Sequence, residues 1–159
     1  MRFLFGLLIL GVSVAAYTQA AQQPFTITIS ADEPTVNAGS DVYINIKQTN
    51  TADHVVNCGG MNSNGMDRSY VYYVLDENGK SIEKPGEHHE FRGASPTFCN
   101  LATGESVAHD VILSRLYDFT KPGTYTIQVS RYSGNDKEGA IMSNIITITV
   151  MAPAAAAPK

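Results

Sequence analysis

The chain has 159 residues, is 43% hydrophobic, and carries 11 basic against 15 acidic residues, a net charge of −4. That length suffices for one domain with a proper core. The acidic balance argues against nucleic acid and anionic membrane as partners, because both need a basic face.

At the N-terminus a single positive residue, Arg2, precedes the apolar run FLFGLLILGVSVAA and the small-residue stretch YTQAAQQP. This pattern predicts a signal peptide over 1–20, cleaved after Ala20, with Thr18 and Ala20 at the two positions a signal peptidase reads. The alternative is a retained anchor. It fits less well, because the run is short of the roughly 20 apolar residues of a span and no stop-transfer charges follow. With no cysteine at the cleavage site, a lipid anchor there is not expected. Cleavage removes only Arg2 among the charged residues and leaves a net of −5. The mature protein is therefore expected in the periplasm or outside the cell, with no membrane insertion. A single domain is expected over 21–151, and the Ala/Pro-rich segment 152–159 has nothing to bury and reads as a disordered tail.

Between these ends there is no helical periodicity of useful length. FTITIS puts Phe25, Ile27 and Ile29 on one face. ADEPTVNAGS reads as a Pro/Gly-punctuated connection, and DVYINIKQT follows with Val42, Ile44 and Ile46 on one side. Period two with one wet face is the mark of an antiparallel sheet. HVVNC adds a short strand or extends the second one. YVYYVLDENGKSIE predicts a hairpin, with Asn78-Gly79 in a type I′ turn and a return strand over Ser81 to Glu83. From Pro85 to about Thr103 no strand of any length is predicted.

SVAHDVILSRL resumes the pattern, with Val107, Val111 and Leu113 in phase and His109 between them. Lys121-Pro122-Gly123 forces a turn, and Tyr125, Ile127 and Val129 then alternate with polar residues. IMSNIITITV closes the domain on Ile146, Ile148 and Val150. Seven to eight short strands without a helix mean an all-β sandwich or barrel. Each buried Ile or Val contributes roughly 1.5–3 kcal/mol to holding it.

PGTYTIQV resembles the sixth strand of an immunoglobulin-like domain, where a Gly-x-Tyr forms the tyrosine corner. The resemblance implies that Gly123 opens the strand and that Tyr125 bonds back to the chain upstream. Ile127 stands where antibody domains place a cysteine, and the chain has no tryptophan for the third strand. AGSDVYINIKQTNTAD, YVLDENGKSI, LSRLYDFTKPGTYTIQVSR and SNIITITV, in that order, are similar to small exported bacterial immunoglobulin-like proteins. Related modules accompany secreted metallopeptidases. The resemblance spans nearly the whole mature chain and implies an immunoglobulin-like antiparallel β-sandwich of non-catalytic role. It supplies no site motif to carry over.

The two cysteines, Cys58 and Cys99, suggest a disulfide in an exported chain. The other reading is a metal-binding or redox thiol pair, which their wide separation disfavours. A bridge would close a loop of about 40 residues, worth about 4 kcal/mol in the chain-entropy model. It would tie the loop after the second strand to the long loop after the central hairpin. Those loops carry Met61, Met66, Arg68, His88, His89, Phe91, Arg92 and Phe98. Methionine, aromatic and arginine side chains are the types enriched at protein interfaces, so this end is the expected binding surface, facing a protein or glycan. A solvated loop end plugged by Phe91 and Phe98 is the bland alternative.

No HExxH, GxSxG, GxGxxG or phosphate-cradling loop occurs, and DENGK is too short for a calcium loop, so neither an enzyme nor a cofactor is expected. Met61, Met66, His88 and His89 raise a second reading, a soft-metal (copper) carrier of the envelope. A third is an accessory or inhibitory domain for a secreted peptidase. His109, on the apolar phase of its strand, reads as a core or edge histidine, and His54 sits in a polar turn. The module is expected to be monomeric.

Overall fold

The computed structural model describes residues 23–61, 70–84, 97–133 and 139–153, with backbone alone for 59–61, 97 and 98. The expected signal peptide and the tail from 154 onward lie outside the described residues. Ten strands form among the described residues: β1 (Phe25–Ala31), β2 (Thr35–Asn37), β3 (Tyr43–Asn50), β4 (Val56–Met61), β5 (Val71–Leu75), β6 (Thr97–Leu101), β7 (Ser106–Ile112), β8 (Gly123–Tyr132), β9 (Ala140–Met142) and β10 (Ile146–Met151). A 3₁₀ turn, Leu113–Arg115, follows β7.

The order β1-β3-β7 makes one sheet and β2-β10-β8-β5 the other, with β9 also on β8. Their inward residues form one core. Phe25, Ile27 and Ile29 of β1, Ile44 and Ile46 of β3 and Val111 of β7 meet Val74 of β5, Tyr125, Ile127 and Val129 of β8, and Ile148 and Val150 of β10. This two-layer strand order is that of an immunoglobulin-like β-sandwich. The extra strands beyond seven or eight are short: β2 and β9 have three residues each.

Three local features differ from the sequence expectation. The connection ADEPTVNAGS contains β2, which pairs parallel with β10 (Val36 opposite Val150), so the sandwich is not wholly antiparallel. Three residues with one buried valine are too few to show a period in sequence; the strand exists because β10 offers it an edge.

The hairpin turn is not type I′, since Asn78 keeps a negative φ and Gly79 alone is left-handed, at φ 75°. Asp76 accounts for this: its carboxylate accepts from the backbone N–H of Asn78 and of Lys80, both at 2.9 Å. Its backbone N–H donates to Lys80 O. That Asx-type geometry makes a three-residue loop with glycine at the left-handed position. The return strand shrinks to isolated bridges, Leu75 to Ser81 and Glu83 to Tyr117.

Third, Thr97–Leu101 is a strand, paired antiparallel with β4 as a separate two-stranded ladder. Its five residues lie in a segment where turn formers mask the pattern.

β8 is the spine. Gly123 begins it opposite Val150, and Tyr125 Oη donates to Lys121 O at 2.7 Å. The Tyr125 ring meets Phe119 edge-on at 5.3 Å. Burial, then the charges of Asp118, Asp76 and Glu77, holds the Tyr125 phenol above the ordinary tyrosine range. On the far flank, β9 and β10 are interrupted by Ser143–Ile145. There Ser143 Oγ accepts from Val129 N–H, and the Asn144 amide bonds both the N–H and the C=O of Ile29. Asn144 thus imitates a strand partner for β1 and ties its edge to the opposite sheet.

Tyr125→Phe keeps the ring and deletes the corner bond, so it should cost about 1 kcal/mol, read as a lower urea midpoint at unchanged slope.

Tyr117, whose hydroxyl donates to Tyr72 O at 3.0 Å, has its phenol pushed up to about 12 by burial and then by the Glu83 charge. The folded state therefore favours the neutral phenol. Its contribution to stability is complete below the unfolded value near 10 and is lost as pH climbs through about 12. With no tryptophan in the chain, tyrosinate absorbance is a clean readout. The native protein should show a tyrosine titrating near 12, later than the raised Tyr125, and that step should vanish in Tyr117→Phe.

Candidate functional site

One end of the sandwich gathers the start of β1, the end of β3 and the end of β8, since Phe25 lies opposite Asn50 and Arg131 belongs to the last turn of β8's alternation. Along β8 the inward phase runs Tyr125, Ile127, Val129, Arg131. The fourth member is a cation, and it is only 7% exposed.

Arg131 crosses from one sheet to the other. Its Nη1 donates to Gln48 Oε1 of β3 at 2.6 Å and to Cys58 O of β4, and its Nη2 donates to Asn57 O at 3.2 Å. The guanidinium also lies 5.7 Å from the Phe25 ring centroid and 5.5 Å from that of Tyr70. Tyr70 Oη donates to the same Gln48 oxygen at 3.1 Å, and its ring sits 5.7 Å from the buried His109. No carboxylate joins Arg131 among the described residues. Its charge is met instead by carbonyl oxygens, worth about 1.5–3 kcal/mol each for a charged donor, and by two aromatic faces.

Gln48 has no exposed surface, and its Nε2 finds no hydrogen-bond partner. An orphaned amide of this kind costs about 1–3 kcal/mol. It is tolerated because the same side chain's oxygen anchors both Arg131 and Tyr70.

Asn50 does the neighbouring work. Its Nδ2 donates to His54 O and to Leu101 O, each at 2.8 Å, and its Oδ1 accepts from Ala52 N–H. Asn50 and Arg131 together fasten the β4–β6 ladder to the sandwich. Within the ladder Cys58 and Cys99 form a disulfide, Cα–Cα 5.1 Å, at the irregularity where Cys99 opposes Gly59. The ladder goes on to set the backbone of Gly60 opposite Phe98 and that of Met61 opposite Thr97. Met66, Arg68, His88, His89, Phe91 and Arg92 lie outside the described residues.

Beside Arg131 the end opens into a depression of about 850 Å³, whose walls include Phe25, the 51–57 turn, Thr103 and Arg131–Ser133. Val55 (62% exposed) and Tyr132 (57%) stand at its rim. Asp53 and His54 join them, 3.0 Å apart. The hydrogen bond from His54 holds the Asp53 carboxyl below its ordinary value.

His54 lies in a bend over 52–54, as expected, and that bend lines the concave end. Arg131 was missed in the sequence. The available signal was a run of polar residues, Gln48, Asn50, His109 and Arg131, on the inward phase of three different strands.

Among the described residues no three His, Cys, Asp or Glu side chains gather as a metal site. Among them, too, no helix is long and apolar enough to cross a membrane. No family model matches the sequence, and no curated protein does. Among solved structures the chain is similar to the CARDB domain of a Pyrococcus furiosus protein, in complex with di-metal ions. That likeness has TM-score 0.45 and 12% identity, and it covers 81% of this chain and 94% of that one. The chain is also similar to BslA, a bacterial hydrophobin, at TM-score 0.38 and 9% identity, covering 86% of this chain and all of that one.

If Arg131 holds the ladder on, truncation should be severe: Arg131→Ala is expected to cost about 3 kcal/mol or more. Arg131→Met fills the space without the donors and should fall between Ala and wild type. Urea unfolding of the three proteins gives the ranking.

Proposed function

We propose that the protein is an exported, non-catalytic binding or structural module of immunoglobulin-like type, presenting its disulfide-tied end to a protein or glycan partner. The observation that carries this reading is the depression beside Arg131, with Val55 and Tyr132 exposed at its rim above a floor braced by hydrogen bonds. A concave surface with a few apolar and aromatic side chains on a rigid base suits recognition, because little is lost in ordering it on binding. Arg131, Gln48, Tyr70 and Asn50 spend hydrogen bonds on the chain itself, which fits a scaffold for a surface better than reacting machinery.

The disulfide supports an oxidising compartment. That agrees with a signal peptide over 1–20, a domain over 21–151 and a tail over 152–159, in the manner of small exported bacterial proteins. The module acts as a monomer in this reading.

The test is retention of partners from an envelope extract, alongside a glycan array, by wild type and by the double variant Val55→Asp, Tyr132→Ser. Both positions are exposed, so folding should survive. The variant should lose about tenfold or more in retention, as expected when two energetically important contacts go. Equal retention would move the binding surface elsewhere.

A further inference from the structure

Arg131 holds a positive charge at the floor of the depression, and among the described residues it has no carboxylate partner. Three of its five N–H groups are used: two on Nη1, to Gln48 and Cys58, and one on Nη2, to Asn57. That leaves the Nε–H and the second N–H of Nη2. Asn57 and Cys58, adjacent in sequence, each accept from a different Nη, which fits carbonyls at the end of the guanidinium fork and leaves the remaining pair along its flank. A planar carboxylate accepts two parallel bonds in that arrangement.

One observation sets this flank toward the depression. Gln48 Nε2 is a sealed nitrogen lacking a bond; Arg131 Nε, which also makes no bond among the described residues, is not sealed, so it reaches solvent where Arg131 lines the depression. A cation at the base of a concave, partly apolar wall attracts an anion more strongly than a surface arginine does, because water screens it less.

We infer that the depression takes a carboxylate group of its ligand, received side-on by Nε–H and Nη2–H of Arg131, with Phe25 beneath and Val55 and Tyr132 flanking the rest of the molecule. This rests on the proposed use of this end for binding, and adds the chemical group recognised. Asp53 on the rim opposes a second negative charge, which favours a ligand with one carboxylate over a polyanion.

The experiment is a titration of the purified protein, labelled with ¹⁵N-arginine, with sodium acetate. Acetamide serves as the neutral isostere, and chloride at matched ionic strength as the salt control. The expected result is a saturable shift of the Arg131 Nε–H resonance with acetate alone. Acetate affinity measured by calorimetry should fall about tenfold or more in Arg131→Met, the loss expected for a charge-assisted bond. No saturable acetate shift in wild type, an equal response to acetamide, or undiminished affinity in Arg131→Met would overturn it.

Should Arg131→Met fail to fold, the wild-type resonance still decides. If acetate fails while the rim variant still loses its partner, the end binds a neutral group and only the carboxylate inference falls. If both fail, the end is not a binding surface.

Discussion

A buried guanidinium that no carboxylate meets among the described residues is the constraint around which this fold is arranged. Taking a cation out of water costs several kcal/mol, and an unpaired one would not survive. Arg131 survives because three backbone and side-chain oxygens and two ring faces converge on it from β1, β3, β4 and the residue that leads into β5. Each of those elements is thereby located. Gln48 must present its oxygen, Tyr70 must donate to that oxygen, and β4 must turn the carbonyls of Asn57 and Cys58 inward. In antibody domains a disulfide between the second and sixth strands pins the two sheets. Here Ile127 fills that place with a greasy contact, and the pin has moved to the end of the same strand as a polar one.

Moving the pin changes what the disulfide is for. Cys58–Cys99 joins two adjacent strands of one ladder, so by itself it binds the ladder to nothing else. It removes entropy from the unfolded chain, about 4 kcal/mol for its separation of 41 residues. Arg131 and Asn50 supply the attachment. The covalent bond keeps the ladder intact, and the hydrogen bonds keep it in place. Their effects should therefore be strongly coupled, because a reduced ladder offers Arg131 two carbonyls that are no longer held at one spacing.

The long strands were legible because each reports a single physical fact, one dry face, through a period of two. Phe25, Ile27 and Ile29, or Tyr125, Ile127 and Val129, need no partner strand to be read. β2, β6 and β9 were not legible in the same way. They are three to five residues long and form because β10, β4 and β8 offer edges, which is information stored elsewhere in the chain. The Asn78-Gly79 turn misled for a third reason. A side chain just outside the dipeptide, Asp76, captured two backbone donors and lengthened the loop.

The candidate site follows the same division. Cysteine count and compartment pointed to the tied end, and composition pointed to recognition. The residue that organises that end was hidden by its own register. On a solvent-facing phase an arginine following Tyr125, Ile127 and Val129 would be unremarked. On the inward phase it obliges the surrounding strands to find it oxygens.

Polar residues in core register recur at one end only among the described strands, Gln48 and Asn50 on β3, His109 on β7 and Arg131 on β8. The opposite end closes with the Phe119–Tyr125 contact and the tyrosine corner. A sandwich sealed by apolar and aromatic packing at one end and by directional bonds at the other is chemically asymmetric. Directional bonds hold donors in fixed positions, and fixed donors can be presented to a partner at little entropic cost. Dispersion contacts present only shape. The costlier end of this domain is thus the one equipped to discriminate.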